Sequence, residues 1–231
     1  VGKVWIEYLY PMDFEEFLLS IGEEKLLNLI KESYYELKPM LDVTHKKALD
    51  LYNEYLCIGG MPAAILNYIE NNKNIFQFNE EILQMIITSY LADMSKYTEN
   101  IESIRNNKIY NSMPAQLGKE NKKFKYSLVE KSARAREYES SMEWLLTSNM
   151  LLKCQSVSNP KSPLKAYIEN NFKIYLSDIG LLRVLCKISI NEILTNKNML
   201  YKGVFIENYV AENLYCKYRE LYYWALGNEY E

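Results

Sequence analysis

The sequence lacks any long apolar run, and this absence excludes a helix that crosses a membrane. Apolar residues make up 48% of the 231, but they fall in short groups such as Ile86 and Ile87. A spanning helix needs about 20 of them in succession. The opening residues, VGKVWIEYLY, also lack the apolar core and small-residue cleavage site of a secretory signal. We therefore expect a cytoplasmic protein with no membrane partner.

The residues that bind zinc or form disulfide frameworks are sparse and scattered. The four cysteines, Cys57, Cys154, Cys186 and Cys216, include no Cys-x-x-Cys pair, and His45 is the single histidine. Zinc sites need clustered thiolates and imidazoles, and secreted disulfide scaffolds need dense cysteines. We interpret the cysteines as small buried apolar residues and assign His45 no metal or catalytic role.

The chain also lacks a net positive charge, so any affinity for nucleic acid has to come from a local patch. The formal charge is −3, yet residues 119–136 carry seven cationic residues against two glutamates. Such segregation favours an interaction surface, although a charge run can also be a solvated loop. The cations are Lys119, Lys122, Lys123, Lys125, Lys131, Arg134 and Arg136.

The same stretch has the pattern of a helix-turn-helix. Ser127 and Glu130 have the spacing of a capping box, which predicts a short helix from Leu128 to Ala133. A second helix is predicted to start near Arg136, because one apolar stripe follows at helical spacing. That stripe consists of Tyr138, Met142, Leu145 and Leu146.

Two predicted strands after this helix complete a winged helix-turn-helix. Leu151 to Val157 has the apolar content of a strand, and alternating Phe172, Ile174 and Leu176 predict a returning strand. Winged helices bind DNA, dock proteins or act as rigid spacers, and these alternatives stay open. The candidate nucleic-acid contacts are Lys122, Lys123, Lys125, Lys131, Arg134 and Arg136.

The remaining sequence predicts mostly helices. Val4 to Leu9 has the pattern of a strand, and residues 23–120 are helical except at a corner with the sequence Gly-Gly-Met-Pro. An amphipathic helix over residues 205–217 and a strand from Leu221 to Leu226 end the chain.

Four segments together resemble a prokaryotic ATP-binding family. They are YLYPMDFEEFL, the GGMP corner, the run AQLGKENKKFKYSLVEKSARAREYESSMEWLLTSNMLLK, and the pair KIYLSDIGLL with GVFIENYVAENL. Members of this family join an AAA-type P-loop ATPase core to a C-terminal domain of unknown function, which is similar to restriction-endonuclease-like nucleases. The resemblance covers essentially the whole chain.

The resemblance implies a mainly α fold in four parts. Residues 1–20 would be the last strand and exit helix of an ATPase core, and residues 21–100 a helical lid bundle. Residues 101–190 would form the winged helix-turn-helix domain. Residues 191–231 would begin an α/β nuclease-like domain.

The resemblance also implies ATP as the cofactor of the parent protein. Gly60, Met61 and Pro62 are similar to a Gly-x-Pro element whose proline lies against adenine, although a plain helix-breaking corner explains them equally well. The sequence contains no G-x-x-x-x-G-K-[ST] loop. We expect that loop upstream of Val1, and we expect no ATP hydrolysis by these residues alone.

For the nuclease-like part, the resemblance implies a divalent metal such as Mg²⁺ held by Glu207. Its partners, an aspartate and a Glu-x-Lys pair, are expected beyond Glu231. Three functions therefore remain in view. The first is a lid and winged helix that couple nucleotide state to binding of DNA or a partner protein. The others are a metal-dependent nuclease subunit controlled by the ATPase, and a non-catalytic protein-interaction scaffold.

Overall fold

The computed structural model describes residues 2–4, 7–98, 100–119, 121–195, 199–226 and 229–230. The fold is mainly α, as predicted, with 63% of residues in helices. The helices are α1 Phe14–Ser20, α2 Glu24–Glu36, α3 Asp42–Ile58, α4 Pro62–Glu70, α5 Glu81–Tyr97, α6 Asn100–Leu117, α7 Tyr126–Val129, α8 Ala135–Thr147, α9 Ile179–Leu185, α10 Ile190–Leu194 and α11 Met199–Tyr218. The strands are β1 Leu151–Val157, β2 Ile168–Leu176, β3 Leu221–Leu226 and β4 Glu229–Tyr230.

The predicted strand from Val4 to Leu9 is wrong for the described residues of that segment. Val4 and residues 7–9 have no regular secondary structure, and Leu9 is fully exposed. Trp5 and Ile6 lie outside the described residues. A strand needs a neighbour to satisfy its N–H and C=O groups, and this segment pairs with none of the four strands described.

The first helix described is α1, and a capping box fixes its first turn. The Asp13 carboxylate accepts a hydrogen bond from Glu16 N at 2.8 Å, and the Glu16 carboxylate accepts one from Asp13 N at 2.9 Å. The helix then buries Phe17 and Leu18. Phe17 and Tyr55 of α3 lie with ring centroids 5.5 Å apart, which anchors α1 on α3.

The helix-turn-helix forms with a shorter first helix than predicted. α7 covers Tyr126–Val129 rather than Leu128 to Ala133. The buried Gln116 side chain of α6 sets where α7 begins, because its Oε1 accepts from Lys125 N and its Nε2 donates to Lys125 O, both at 2.9 Å. The prediction of a second helix near Arg136 is confirmed by α8.

Both predicted wing strands are confirmed, but they do not form a separate hairpin. β1 pairs antiparallel with β2 and parallel with β3, which gives the sheet order β2-β1-β3-β4. β1 is buried along most of its length because it is an inner strand. The wing therefore belongs to a mixed sheet that also contains the C-terminal strand.

A single hydrophobic core runs through the described part of the chain, from α1 to β3. α9 lies near its middle and packs against α3, α5, α6 and α11. The domain boundaries given above stay a prediction. Among the described residues, no helix is both long and apolar enough to cross a membrane.

Candidate functional site

The candidate site consists of Lys125, α7, the turn that follows α7 and the start of α8. We call these residues, 125–136, the basic turn. Four of the predicted nucleic-acid contacts lie in it with exposed side chains. They are Lys125, Lys131, Arg134 and Arg136.

The predicted capping box in this turn is wrong. Glu130 does not reach back to Ser127, because its Oε2 accepts hydrogen bonds from Lys108 Nζ and from Tyr138 OH, each at 2.9 Å. These bonds lower the pKa of Glu130. They also tie the turn to α6 and α8, so the turn is fixed by tertiary contacts rather than by a local cap.

The start of α8 has a weaker local bond of its own. Arg134 N donates to Glu137 Oε2 at 3.4 Å. The side chain of Arg134 is exposed. Arg136 lies in the first turn of the helix, where backbone N–H groups also face outward. The basic turn therefore offers guanidinium groups and a helix N-terminus to an anion.

Lys122 and Lys123 do not lie on the same exposed surface. Lys122 Nζ forms an ion pair with Glu207 Oε2, and the Lys122 side chain is only 14% exposed. Lys123 is half-buried. The cationic run of the sequence is thus divided between an exposed turn and an internal contact.

The exposed side of α8 carries three acidic residues, one in the first turn and two farther along the helix. Glu137, Glu139 and Glu143 are all exposed, and the negative charges of Glu139 and Glu143 help to raise the pKa of the partly buried Tyr126. Carboxylates in the middle of this helix oppose the approach of phosphates. Contact with DNA is therefore favoured at the N-terminal end of α8 and disfavoured along its length.

The Gly-Gly-Met-Pro corner is built around the carboxylate of Asp178. Asp178 is fully buried at the start of α9 and accepts hydrogen bonds from Gly60 N at 2.7 Å and Leu181 N at 2.8 Å. Burial raises its pKa to about 6, although the backbone N–H groups of Leu181, Gly60, Gly180 and Met61 oppose the shift. The corner therefore joins α3 and α4 to α9.

These hydrogen bonds determine which groups of the corner remain available to a nucleotide. The N–H of Gly60 is bound to Asp178, and its C=O accepts from Met12 N at 2.8 Å. Pro62 is exposed, so its ring is the part of the motif that an adenine could contact. An adenine fits here only as an apolar contact, and its binding stays a prediction.

Arg183 makes a second bridge, from α9 to α3. Its side chain is buried, with Nε donating to Cys57 O at 2.8 Å and one terminal nitrogen donating to Ile188 O at 2.9 Å. The same nitrogen lies 2.7 Å from Glu80 Oε2. A guanidinium suits this position because it satisfies several acceptors in one plane.

Glu207 lies among cations and a hydroxyl. Its Oε1 accepts from Lys173 Nζ at 3.0 Å and from Tyr175 OH at 2.6 Å, and its Oε2 accepts from Lys122. Burial alone would raise the pKa of Glu207, but these partners bring it below its ordinary value. No group of three or more potential metal ligands occurs in the described part of the chain. A Glu207 carboxylate bound in this way does not fit a Mg²⁺ site, so we derive no step through a metal.

Sequence reasoning missed the polar residues that hold these elements together. Asp178 precedes the apolar run of α9 at an N-cap position, so the cap rule was the available signal. Asn208 and Glu212 gave no such signal. Asn208 is buried and hydrogen-bonds to Leu176 N and O at 2.9 and 3.1 Å, and Glu212 is also buried.

A family model described as a domain of unknown function, DUF8612, matches residues 49–192, which is more than half of the chain. The chain belongs to the DUF8612 family. The matched DUF8612 region contains the corner, the basic turn and Asp178, and it ends before α11 and Glu207. No curated protein and no solved structure matches the chain.

Proposed function

We propose that this DUF8612 chain binds duplex DNA through the basic turn, in a nonspecific and salt-dependent way. The observation that supports this proposal is the set of four exposed cations in the basic turn, of which Arg134 and Arg136 lie at the N-terminal end of α8. Arginine and lysine at the start of the second helix of a helix-turn-helix are placed to contact phosphates. The carboxylates of Glu139 and Glu143, farther along α8, argue against reading of base edges.

The proposal places the chain in the cytoplasm as the lid and winged-helix part of an ATP-binding protein. Two buried bridges link the lid corner to α9, through Asp178 and Arg183. α9 follows β2 after two residues, so a movement of the corner would reach the wing. ATP in the parent protein would act through this connection, with Pro62 as the adenine contact.

A second candidate function is binding of a partner protein with a basic surface. Glu137, Glu139 and Glu143 give the exposed side of α8 a negative charge that suits such a partner. In this case the winged helix would serve as a docking module of a scaffold and would not contact nucleic acid.

Titration of a fluorescent duplex of about 20 base pairs, a length that covers more than one helical turn, tests the first proposal. We expect the triple variant Lys131→Glu, Arg134→Glu, Arg136→Glu to lose most of the affinity at low salt. A matched control, Lys25→Glu, Lys38→Glu, Lys46→Glu, changes the net charge equally at exposed positions in α2, in α3 and in the segment between them. It should retain most of its affinity.

The outcomes separate the two candidates. Equal losses in both triple variants would mean that overall charge, and not the basic turn, governs binding. If the unsubstituted chain does not bind the duplex at low salt, the DNA proposal is overturned and the partner-protein function becomes the leading one.

A further inference from the structure

Where α11 packs against β2, three hydrogen-bond donors form an anion site that the carboxylate of Glu207 occupies. Lys122, Lys173 and Tyr175 all donate to Glu207. The two lysine side chains are 14% and 13% exposed, while that of Glu207 is 33% exposed. Two ammonium groups and a hydroxyl around one acidic group form the donor set that a phosphate requires.

This anion site lies close to the basic turn along the sequence. Phe124 N donates to Phe172 O at 2.9 Å, so the segment before α7 runs along the edge of β2. That hydrogen bond places Lys122 and Lys173 beside each other at the same edge. Lys125, the first residue of the basic turn, follows only three positions after Lys122.

The attachment of α11 does not depend on Glu207 alone. The neighbouring Asn208 side chain both donates to and accepts from the backbone of Leu176, and it is fully buried. A substitution at Glu207 can therefore open the anion site while α11 stays on the sheet.

We propose that Lys122, Lys173 and Tyr175 form a second phosphate-binding site for nucleic acid, which Glu207 keeps closed. This inference rests on the proposed function and adds its regulation. With Glu207 in place, two lysines are withheld from the DNA-binding surface. When its carboxylate is removed, a backbone phosphate binds to the same three donors.

The variant Glu207→Gln tests the proposal in the same duplex titration. The neutral amide keeps a hydrogen-bond acceptor for Tyr175 but no longer neutralises the lysines. We expect tighter binding than in the unsubstituted chain. We also expect a steeper slope of log affinity against log salt, by about 0.9 for each lysine that gains a phosphate.

Two controls separate a local effect from a change in net charge. Glu32→Gln removes one negative charge at an exposed position of α2 and should leave the salt slope unchanged. Lys122→Met should have little effect alone, since Glu207 already holds Lys122. Combined with Glu207→Gln, it should abolish about half of the gain in slope. Thermal melting of each variant verifies that it is folded.

The results distinguish this inference from the proposed function. If the unsubstituted chain binds and loses affinity in the basic-turn variant, but Glu207→Gln leaves affinity and slope unchanged, only the closed-site inference is overturned. If binding appears only in Glu207→Gln, the closed site is supported and the basic turn alone is insufficient. If neither protein binds, both proposals fail.

Discussion

Gly59 lies where the backbone of the Gly-Gly-Met-Pro corner approaches Asp178, and its lack of a side chain makes this approach possible. A Cβ on Gly59 would lie 2.4 Å from Asp178 Oδ1 and 2.7 Å from Gly180 N, and its φ of +78° is in the left-handed region. We expect Gly59→Ala to lower the free energy of unfolding by about 2–4 kcal/mol, from overpacking and backbone strain together. Chemical denaturation measures this loss.

Gly203 provides the matched control for Gly59. It lies in α11, and a Cβ there would meet nothing within 4 Å. Alanine favours a helix over glycine by about 0.5–1 kcal/mol, so Gly203→Ala should be neutral or stabilising. Equal effects of the two substitutions would contradict the close approach of the corner to Asp178.

Glu212 gives the chain a stability that depends on pH. Burial raises the pKa of its carboxyl well above the ordinary value, and the negative charge of Asp178 adds to the shift. The other titratable groups that its charge reaches are Tyr52, Tyr55, Tyr209 and Cys216. Above the ordinary glutamate pKa, the folded chain binds more protons at Glu212 than the unfolded chain does. Its contribution to stability therefore falls as pH rises.

The variant Glu212→Gln removes that titration. The melting temperature of the variant minus that of the unsubstituted chain should increase between about pH 5 and about pH 8, because only the unsubstituted chain has to bury a charge or retain a proton. A difference that is constant with pH would show that Glu212 does not titrate differently on folding.

Individual residues also show which structural features a local sequence pattern can predict. Pro62 and the two preceding glycines were recognised as a corner because glycine and proline have strong local effects. Their partner Asp178 lies 118 residues from Gly60, so no local pattern could pair them. Lys122 has its partner 85 residues away, and for that reason its position in a charge run was misleading.

At the scale of the element, buried hydrogen bonds hold α9 to α3 and to the Gly-Gly-Met-Pro corner. Replacing Arg183 by methionine would leave Cys57 O and Ile188 O without their donor. We expect Arg183→Met to cost about 2–4 kcal/mol of stability, since unsatisfied buried acceptors are expensive. The measurement is again equilibrium denaturation.

Lys165 is the comparison for Arg183. It pairs with Glu220 at the surface, where the two side chains are 69% and 51% exposed. Such pairs contribute about 0.5 kcal/mol or less, so Lys165→Met should be nearly neutral. A loss from Arg183→Met no larger than this would contradict the bridging role of Arg183.

Elements with regularly spaced apolar residues were predicted well. Elements whose bounds depend on residues distant in the sequence were not. α8, β1 and β2 have regular apolar spacing, and the structure confirms all three. α7 was misplaced because the spacing of Ser127 and Glu130 suggested a local cap. Lys108 and Tyr138 bind Glu130 instead, and neither adjoins it in sequence.

For the whole molecule, the least predictable feature was the way in which the parts join. The parallel pairing of β1 with β3 brings together Cys154 and Leu221, which are far apart in the sequence. The same sheet places Glu207 against the wing and removes Lys122 from the exposed surface. Mainly α architecture followed from composition and periodicity, whereas the division of the cations followed from these long-range contacts.

The salt dependence of duplex binding tests the central claim most directly. The four exposed cations of the basic turn predict a negative log–log slope of up to about 3.6, at about 0.9 per neutralised phosphate. The triple reversal of Lys131, Arg134 and Arg136 should remove most of that slope, and the matched control should preserve it. Absence of duplex binding at low salt, or the same slope in both triple variants, would contradict DNA binding by the basic turn.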